Sequence, residues 1–294
     1  MSGHHVETGI MVAMAHDLGL NIEPTDWDIP EAEKRRRRRI WWAVYMQDKW
    51  SALTLGRPSF IHDDQYKVRM IDRSDFRANE SDSPSPEVQR GADVFVAMAY
   101  LTQILSTILS TFYTARGLES RLLETSDEVL STCDMLEREL DNWRNRYLIA
   151  CRDHPGFPDV TGPLELAAHV VTISVYRAIL PKTTRLRAPV LALRQKAAEA
   201  IFQVVNLLQS LSMSRTSVLW WPVPHVNFSI VGSFAVHMFL SSTSDDDATY
   251  WGAQLQTFRQ LLETQGVGFP VTRYALARLD LLTGDDDDAS DEHS

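Results

Sequence analysis

Apolar residues recur at spacings of three and four along most of this chain, a pattern typical of amphipathic α-helices. No alternation of apolar and polar residues is long enough to indicate a strand, and no internal repeat occurs. The pattern therefore predicts an all-α protein, built as an irregular multi-helix bundle of antiparallel helices.

The first two helices are predicted from their stripes and stop signals. Residues 6–18 carry an apolar stripe formed by Met11, Met14, Ala15 and Leu18. Gly19 suits a left-handed C-terminal cap. Pro30 is placed to open a second helix, which runs to about Leu55 because Gly56 and Pro58 follow it.

Two further helices, with the same spacing of apolar residues, are predicted on either side of Gly117. The stripe before it comprises Val94, Met98, Leu101, Leu105, Ile108 and Phe112. The stripe after it comprises Leu122, Val129, Cys133, Leu136, Leu140, Trp143 and Tyr147. A single turn signal between them favours an antiparallel hairpin, and a coiled-coil dimer is the alternative.

The remaining helices are predicted over residues 164–178, 198–208, 249–265 and 270–282. Residues 218–240 are apolar enough to be tested as a membrane span, but prolines, histidines and an asparagine interrupt them. A buried core helix is the interpretation that we prefer, and no membrane partner is expected.

The predicted organisation has four parts. Residues 1–71 begin a regulatory domain, and residues 72–91 form a polar linker rich in charge and proline. Residues 92–283 continue the helical bundle of the same domain, and residues 284–294 form an acidic disordered tail.

The composition is that of a soluble globular protein with a sizeable core. The chain has 294 residues, of which 44% are apolar, and its net charge is −10. An acidic chain is a poor ligand for a phosphate backbone, because nucleic-acid binding depends on clustered cations. The two cysteines cannot form a disulfide framework and indicate a reducing compartment.

Five consecutive arginines, residues 35–39, stand directly before Trp41 and Trp42. A helix turns by about 100° per residue, so five successive positions cover its whole circumference. At least one guanidinium group must therefore face inward, where an unpaired charge is strongly disfavoured. We interpret the run as part of an ion-paired structural helix, and a nuclear-localisation signal is the alternative.

If Trp41 marks the core direction, Arg37 lies nearest the inward face and Arg38 next, while Arg35, Arg36 and Arg39 point away. Five residues are the candidates for structural ion pairs: Glu33, Arg37, Arg38, Asp48 and Arg57. Glu33 is expected to pair with Arg37, four residues later. Asp48 is expected to meet a cation from elsewhere, and Arg57 is the candidate.

Residues 9–66 resemble the regulatory region of fungal zinc binuclear-cluster transcription factors. The resemblance rests on Asp17-Leu18-Gly19-Leu20, then Glu33 before the arginine run and Trp41-Trp42, then Asp48 and finally Gly56-Arg57-Pro58. The family usually continues into an aspartate-rich phrase and a proline, and here Asp63 and Asp64 are present without the proline. Further helices normally precede Gly9 in the family, so the expectation is a fragment, a shortened gene model or a divergent member of the family.

The resemblance implies a nuclear regulatory domain that controls genes transcribed by RNA polymerase II. It implies DNA and zinc binding through a zinc cluster outside this chain, whose two cysteines cannot supply the six thiolates. No cofactor is expected on the chain itself. Expected partners are DNA through that outside module and the transcription machinery or co-regulators, with a small-molecule effector and a second copy of the chain as further candidates. The alternative functions are a helical scaffold for protein–protein interactions and a small-molecule effector-binding domain.

No motif indicates catalysis or a metal site. The chain has no nucleophile elbow, phosphate-binding glycine loop, dinucleotide fingerprint or zinc-ligand spacing, so an enzyme is not predicted. One candidate effector pocket is suggested by aromatic and sulfur-bearing residues near the end of the chain. Its predicted lining is Trp220, Trp221, Phe228, Phe234 and Met238.

Overall fold

The computed structural model describes residues 2–77, 84–115, 126–152, 158–180, 187–221 and 224–284. Over these residues the regular structure is helical, which confirms the all-α prediction. The β pairing found in this part of the chain is one isolated bridge between Ile22 and Lys67.

The chain divides into two compact units. The first comprises residues 1–123 and 134–155, and the second comprises residues 124–133 and 156–294. The bundle predicted to continue through residues 92–283 is therefore shared between two units. The helix that begins at Ser126 contributes its start to the second unit and its end to the first.

The first unit is built mainly from three long helices. Its elements are α1 (Ser2–Asp17), α2 (Glu31–Leu55), a 3₁₀ helix (Arg73–Phe76), α3 (Pro86–Phe112), the end of α4 (Ser126–Trp143), a π-helical turn (Arg144–Leu148) and α5 (Ile149–Arg152). Gly56 adopts a φ of 61° and ends α2, because the left-handed region is open to glycine.

The apolar stripe predicted for α1 is buried only in part, at Ala15 and, less fully, at Met11. Thr8, Val12 and Ala15 are buried, whereas Met14 and Leu18 are 59% and 62% exposed. The Thr8 hydroxyl donates to Ser51 Oγ at 3.3 Å, which places the start of α1 against the end of α2. The contact face thus consists of small side chains that allow two helices to approach closely, and the larger apolar residues lie outside it.

The end of α4 and the π-helical turn after it contact α3, and the predicted antiparallel hairpin stays a prediction. The Trp143 indole N–H donates to the Ala97 carbonyl at 2.7 Å, and the rings of Tyr100 and Tyr147 stack with centroids 4.6 Å apart. Gly117, the predicted turn signal, lies outside the described residues.

The range predicted as a polar linker, residues 72–91, contains regular structure at Arg73–Phe76 and from Pro86 onward. Asp75 is completely buried in the 3₁₀ helix, whose start is fixed by a capping box with Asp72. Helix α3 already begins at Pro86. Residues 78–83 lie outside the described part. Asp75 and Arg90 are buried, whereas most of the other described residues of this range are exposed.

The second unit is organised around one apolar helix. Its elements are the start of α4, α6 (Thr161–Ile179), α7 (Arg187–Gln209), α8 (Met213–Thr216), α9 (Pro224–Leu240), α10 (Asp245–Gln265) and α11 (Val271–Thr283). Helix α9 packs against α6, α10 and α11, so the apolar segment near residue 230 is a core helix, as predicted. The predicted tail after Gly284 lies outside the described residues.

Among the described helices, α3 alone is long and apolar enough to cross a membrane. Core helices of globular proteins pass the same test. Leu101, Leu105 and Ile108 of α3 are completely buried inside the first unit, which accounts for the apolar character of this helix.

Candidate functional site

Helix α2 supplies most of the unusual chemistry of the first unit. Glu31 and Glu33 lie in its first turn, where carboxylates favour helix formation. Further along, Trp41 and Trp50 are completely buried, and Asp48 and Lys49 are buried beside them. Charged side chains thus share the interior with the indole rings, and each needs a partner.

The arginine run surrounds the helix, and two of its members face inward. Arg35 and Arg38 are buried, Arg37 and Arg39 are half-buried, and Arg36 is exposed. The expectation that Arg35 points away is therefore wrong. Trp42 is as deeply buried as Trp41, and positions four and seven residues before Trp42 lie on its face of the helix.

Arg38 forms the centre of a buried ion cluster. Its Nε donates to Glu23 at 2.8 Å and its Nη1 lies 3.3 Å from Asp75. Asp75 also receives Arg69 Nη2 at 2.6 Å, and Thr25 accepts a bond from Arg38 at 3.1 Å. Two carboxylates and two guanidinium groups therefore neutralise each other around one helix position.

The cluster changes the titration of Glu23. Burial by itself would raise the pKa of this carboxyl group, but hydrogen bonds from Arg38, Thr25 and the Arg69 backbone outweigh it. The net pKa of Glu23 lies below its ordinary value of 4.5. Glu23 is therefore held as a carboxylate that stabilises the folded state.

The predicted pair between Glu33 and Arg37 is not formed. Arg37 instead donates to the Leu18 carbonyl, and its guanidinium group lies 4.6 Å from the centre of the Trp27 ring. Glu33 approaches the exposed Arg36 at 3.8 Å. Arg37 was assigned the wrong partner because the loop before α2 supplies a carbonyl and an aromatic face, which helix spacing alone does not reveal.

Asp48 binds the backbone of the segment after α2. The predicted pair between Asp48 and Arg57 is not formed. Its carboxylate accepts the N–H of Phe60 at 2.8 Å and the N–H of Ile61 at 3.0 Å, and also the Ser59 hydroxyl. Lys49 Nζ lies 3.6 Å away and donates to Ser59 Oγ at 2.7 Å. The reversal at Gly56 brings backbone donors, rather than the Arg57 side chain, to the carboxylate.

A cavity of about 290 Å³ lies beside this reversal, between α2, the segment after it and α3. Its polar lining includes Lys49, Arg57, Asp63 and Ser106. Burial lowers the pKa of Lys49, although the nearby Asp48 opposes this shift. Charged groups thus line a small, partly open hollow, in which Arg57 and Asp63 are exposed to solvent.

Asp63 joins this cavity to the core of α2. It accepts the Tyr45 hydroxyl at 3.1 Å and the Ser106 hydroxyl at 3.2 Å. Burial, with smaller contributions from Tyr66 and Asp63, raises the pKa of Tyr45, so the phenol stays a neutral donor. The Asp63 carboxylate is oriented by two hydroxyl groups that carry no charge.

The pocket predicted in the second unit is not supported. Phe228, Phe234 and Met238 have no exposed surface, whereas a side chain lining a cavity that holds a water molecule would retain some. Trp220 and Trp221 are half-buried, and the Trp220 ring packs 4.8 Å from the Phe269 ring. These aromatic residues fill the interior instead of enclosing a ligand.

The described residues contain no group of three or more histidine, cysteine or acidic side chains suited to a metal ion. Both cysteines are buried thiols. Burial raises the pKa of Cys151 to about 11, and the nearby Asp93 acts in the same direction. This thiol is therefore neutral at physiological pH and a weak nucleophile.

Sequence reasoning missed Glu23, Lys49 and Asp75 as site residues. Glu23 and Asp75 lie in segments of loop-like composition, so no periodicity marks them as inward-facing. For Lys49 a signal was available, because it adjoins Asp48 on a helix whose flanking residues are apolar or aromatic.

We compared the amino-acid sequence with protein families and with known proteins. Residues 4–145 match the family described as "fungal specific transcription factor domain". This part of the chain is a fungal specific transcription factor domain. The match covers most of the first unit and confirms the resemblance carried by the arginine run and Gly56-Arg57-Pro58.

Several curated relatives are fungal transcription factors. Transcriptional activator protein DAL81 of Saccharomyces cerevisiae is 24% identical over 92% of this chain and 32% of its own length. Transcriptional activator protein acu-15 of Neurospora crassa is 29% identical over 70% of this chain and 23% of its own length. Cutinase transcription factor 1 beta of Fusarium vanettenii is 35% identical over 23% of this chain and 8% of its own length.

The chain thus spans about a third or less of the length of these relatives. Its match to the fungal specific transcription factor domain covers residues 4–145. No solved structure matches the chain.

Proposed function

We propose that this chain is the regulatory region of a nuclear transcription factor that controls genes transcribed by RNA polymerase II. DNA and zinc are bound, in this proposal, by a segment outside the chain, and the chain acts through the transcription machinery or co-regulators. The observation that carries the proposal is the family match over residues 4–145.

The charges of the chain support the proposal that DNA is bound by a segment outside it. A net charge of −10 opposes binding to a phosphate backbone, and three members of the arginine run have partners inside the fold. Arg38 is buried among carboxylates, and Arg37 and Arg39 donate to backbone carbonyls. The arginine run is therefore used inside the fold, which argues against a role as a DNA contact or a free localisation signal.

A reporter assay tests the proposal. The chain is fused to a bacterial DNA-binding domain and expressed in yeast with a reporter gene that carries the cognate operator. The fusion is expected to change transcription, upward or downward, relative to the DNA-binding domain alone. An Arg38→Ala fusion, with the ion cluster broken, is expected to lose that effect, whereas an Arg36→Ala fusion keeps it.

An intact fusion at equal abundance that leaves transcription unchanged would refute the regulatory proposal and favour a scaffold role. Localisation is read in the same cells with a fluorescent tag on the chain. Because the arginines are occupied, Arg36→Ala is expected to leave the distribution between nucleus and cytoplasm unchanged.

A further inference from the structure

Two serine–proline dipeptides stand next to each other where α3 begins. They are Ser83-Pro84 and Ser85-Pro86, and the sequence contains no other serine or threonine followed by proline. Proline lacks a backbone N–H and fixes its own φ, so it marks the preceding serine in a way that other residues do not. A serine followed by proline is the dipeptide that proline-directed protein kinases phosphorylate. Ser83 lies outside the described residues, whereas Ser85 belongs to them.

The structure places the Ser85 hydroxyl at the surface of the first unit. The residue is exposed and its backbone is extended, with φ of −58° and ψ of 155°, as expected before a proline. Its Oγ accepts the Val88 N–H at 3.4 Å, which is long for a hydrogen bond of this kind. The hydroxyl group is therefore accessible and only weakly held.

The turn that follows Ser85 carries little of the interior. Residues 86–89, the first turn of α3, are all exposed, and the buried part of the helix starts at Arg90 and Ala92. Helix ends open at a small cost in free energy when they bury little apolar surface. A kinase can therefore hold the dipeptide in an extended form without opening the core of the unit.

Other hydroxyl groups of the first unit lack one of these two properties. Ser74 is exposed, but Asp75 follows it in place of a proline. Ser106 is buried and its hydroxyl donates to Asp63 at 3.2 Å. Ser85 combines the proline with an accessible hydroxyl group.

We propose that Ser85 is phosphorylated by a proline-directed protein kinase. The Ser85 Oγ attacks the γ-phosphorus of ATP held by the kinase, so that an Oγ–P bond forms. The bond between the γ-phosphorus and the bridging oxygen breaks, ADP leaves with that oxygen, and the hydroxyl proton passes to the catalytic aspartate of the kinase. The dipeptide and its exposure select Ser85, and the end of the helix only fixes its conformation. This modification does not depend on the proposed function, to which it would add a covalent input.

Mass spectrometry of the purified chain tests the proposal. The chain is incubated with ATP and either a mitogen-activated or a cyclin-dependent protein kinase, two proline-directed classes. Trypsin cuts after Arg77 and Arg90, so one peptide contains Ser85 together with the other serines of residues 78–90. Fragmentation of this peptide locates the phosphate. We expect it on Ser85 of the folded chain with at least one of the two kinases.

Two variants separate the acceptor from its recognition. Ser85→Ala removes the hydroxyl group, and Pro86→Ala keeps it while removing the proline from a position where alanine also favours a helix. Each is expected to lower the rate of phosphate transfer to residue 85 by about tenfold or more. Ser74→Ala, at an exposed serine without a proline, is the matched control and should leave the rate unchanged. Circular dichroism checks that each variant is folded.

Four results would overturn the proposal. They are no phosphate on the chain with either kinase, phosphate on another serine of the peptide but not on Ser85, an unchanged rate in Pro86→Ala, and modification of Ser85 only after the chain is unfolded in urea and diluted. The last result would mean that the fold hides the dipeptide. Because the assay measures phosphate transfer alone, its failure leaves the reporter test of gene regulation unaffected.

Discussion

Asp48 of α2 accepts the backbone N–H of Ile61 at 3.0 Å, so a buried carboxylate holds the chain where it passes the end of the helix. The same carboxylate accepts the N–H of Phe60 at 2.8 Å. The reversal at Gly56 requires these donors to be satisfied, because Ile61 is buried and cannot use water. The aspartate and the glycine of the family motif thus act on one structural feature, although eight residues separate them.

Asp48→Ala is expected to destabilise the fold by about 3–5 kcal/mol, because it leaves Lys49 buried without its carboxylate and two backbone N–H groups without an acceptor. Urea denaturation followed by circular dichroism measures the change. Asp64→Ala, at an exposed position nearby, is the control and should stay within about 0.5 kcal/mol of the original chain. Equal stability of the two variants would contradict the role assigned to Asp48.

Arg38→Ala is expected to cost about 3–5 kcal/mol of unfolding free energy, because it removes a counterion from the buried Asp75 and from Glu23. Arg36→Ala removes the same side chain from an exposed position two residues earlier, and we expect a change within about 0.5 kcal/mol. Thermal and urea unfolding of the two variants compare them directly. A similar loss in both would mean that burial does not distinguish the arginines.

The amino-acid sequence was sufficient to predict that an arginine of the run is buried and where the helices lie. The five-arginine run had to turn at least one guanidinium group inward, since a helix covers its circumference in that length. Which arginine faces inward depended on a second buried indole, and the sequence marks Trp41 and Trp42 equally. The helices themselves followed from their spacing of apolar residues, because that spacing is a local property.

The partners could not be predicted in the same way. Asp75 neutralises Arg38 from 37 residues away, and it lies in a segment whose composition is typical of a linker. The cavity beside Arg57 depends on how α3 lies against α2, which no short motif encodes. Local patterns therefore gave the elements and the need for ion pairs, whereas the pairs themselves required tertiary structure.

Lowering the pH is expected to weaken the fold through Glu23. Its pKa in the folded state lies below the ordinary value of 4.5, so its contribution is present above that pH and is lost as the pH falls through the lower folded-state value. Glu23→Gln should be less stable at neutral pH and should show a flatter decline between about pH 5 and pH 3. Urea unfolding across this range tests it, and parallel pH curves for both chains would contradict the assignment.

The exposed apolar residues of α1 provide a test of which face is buried. Met14→Gln and Leu18→Gln are expected to change the unfolding free energy by no more than about 0.5 kcal/mol, since both side chains are largely exposed. Val12→Ala, on the face toward α2, should cost about 1–3 kcal/mol. If the glutamine variants were the more damaging ones, the stripe predicted from sequence would be the buried face after all.

Gly162 in α6 lies so close to Trp220 that a Cβ atom there would be 2.9 Å from the indole ring. The ring cannot move freely, because its N–H donates to the Arg215 carbonyl at 2.9 Å and it packs on Phe269. Gly162→Ala is therefore expected to destabilise the fold by about 1–3 kcal/mol, measured by urea unfolding.

The matched control is Gly91→Ala in α3, where a Cβ would meet no atom within 4 Å. This change should stabilise the chain by roughly 0.5–1 kcal/mol, because alanine favours a helix over glycine. In a Trp220→Leu background the cost of Gly162→Ala should fall, since the smaller side chain leaves room for the methyl group. If Gly162→Ala cost the same with and without the indole ring, its effect would come from the helix backbone and not from the contact.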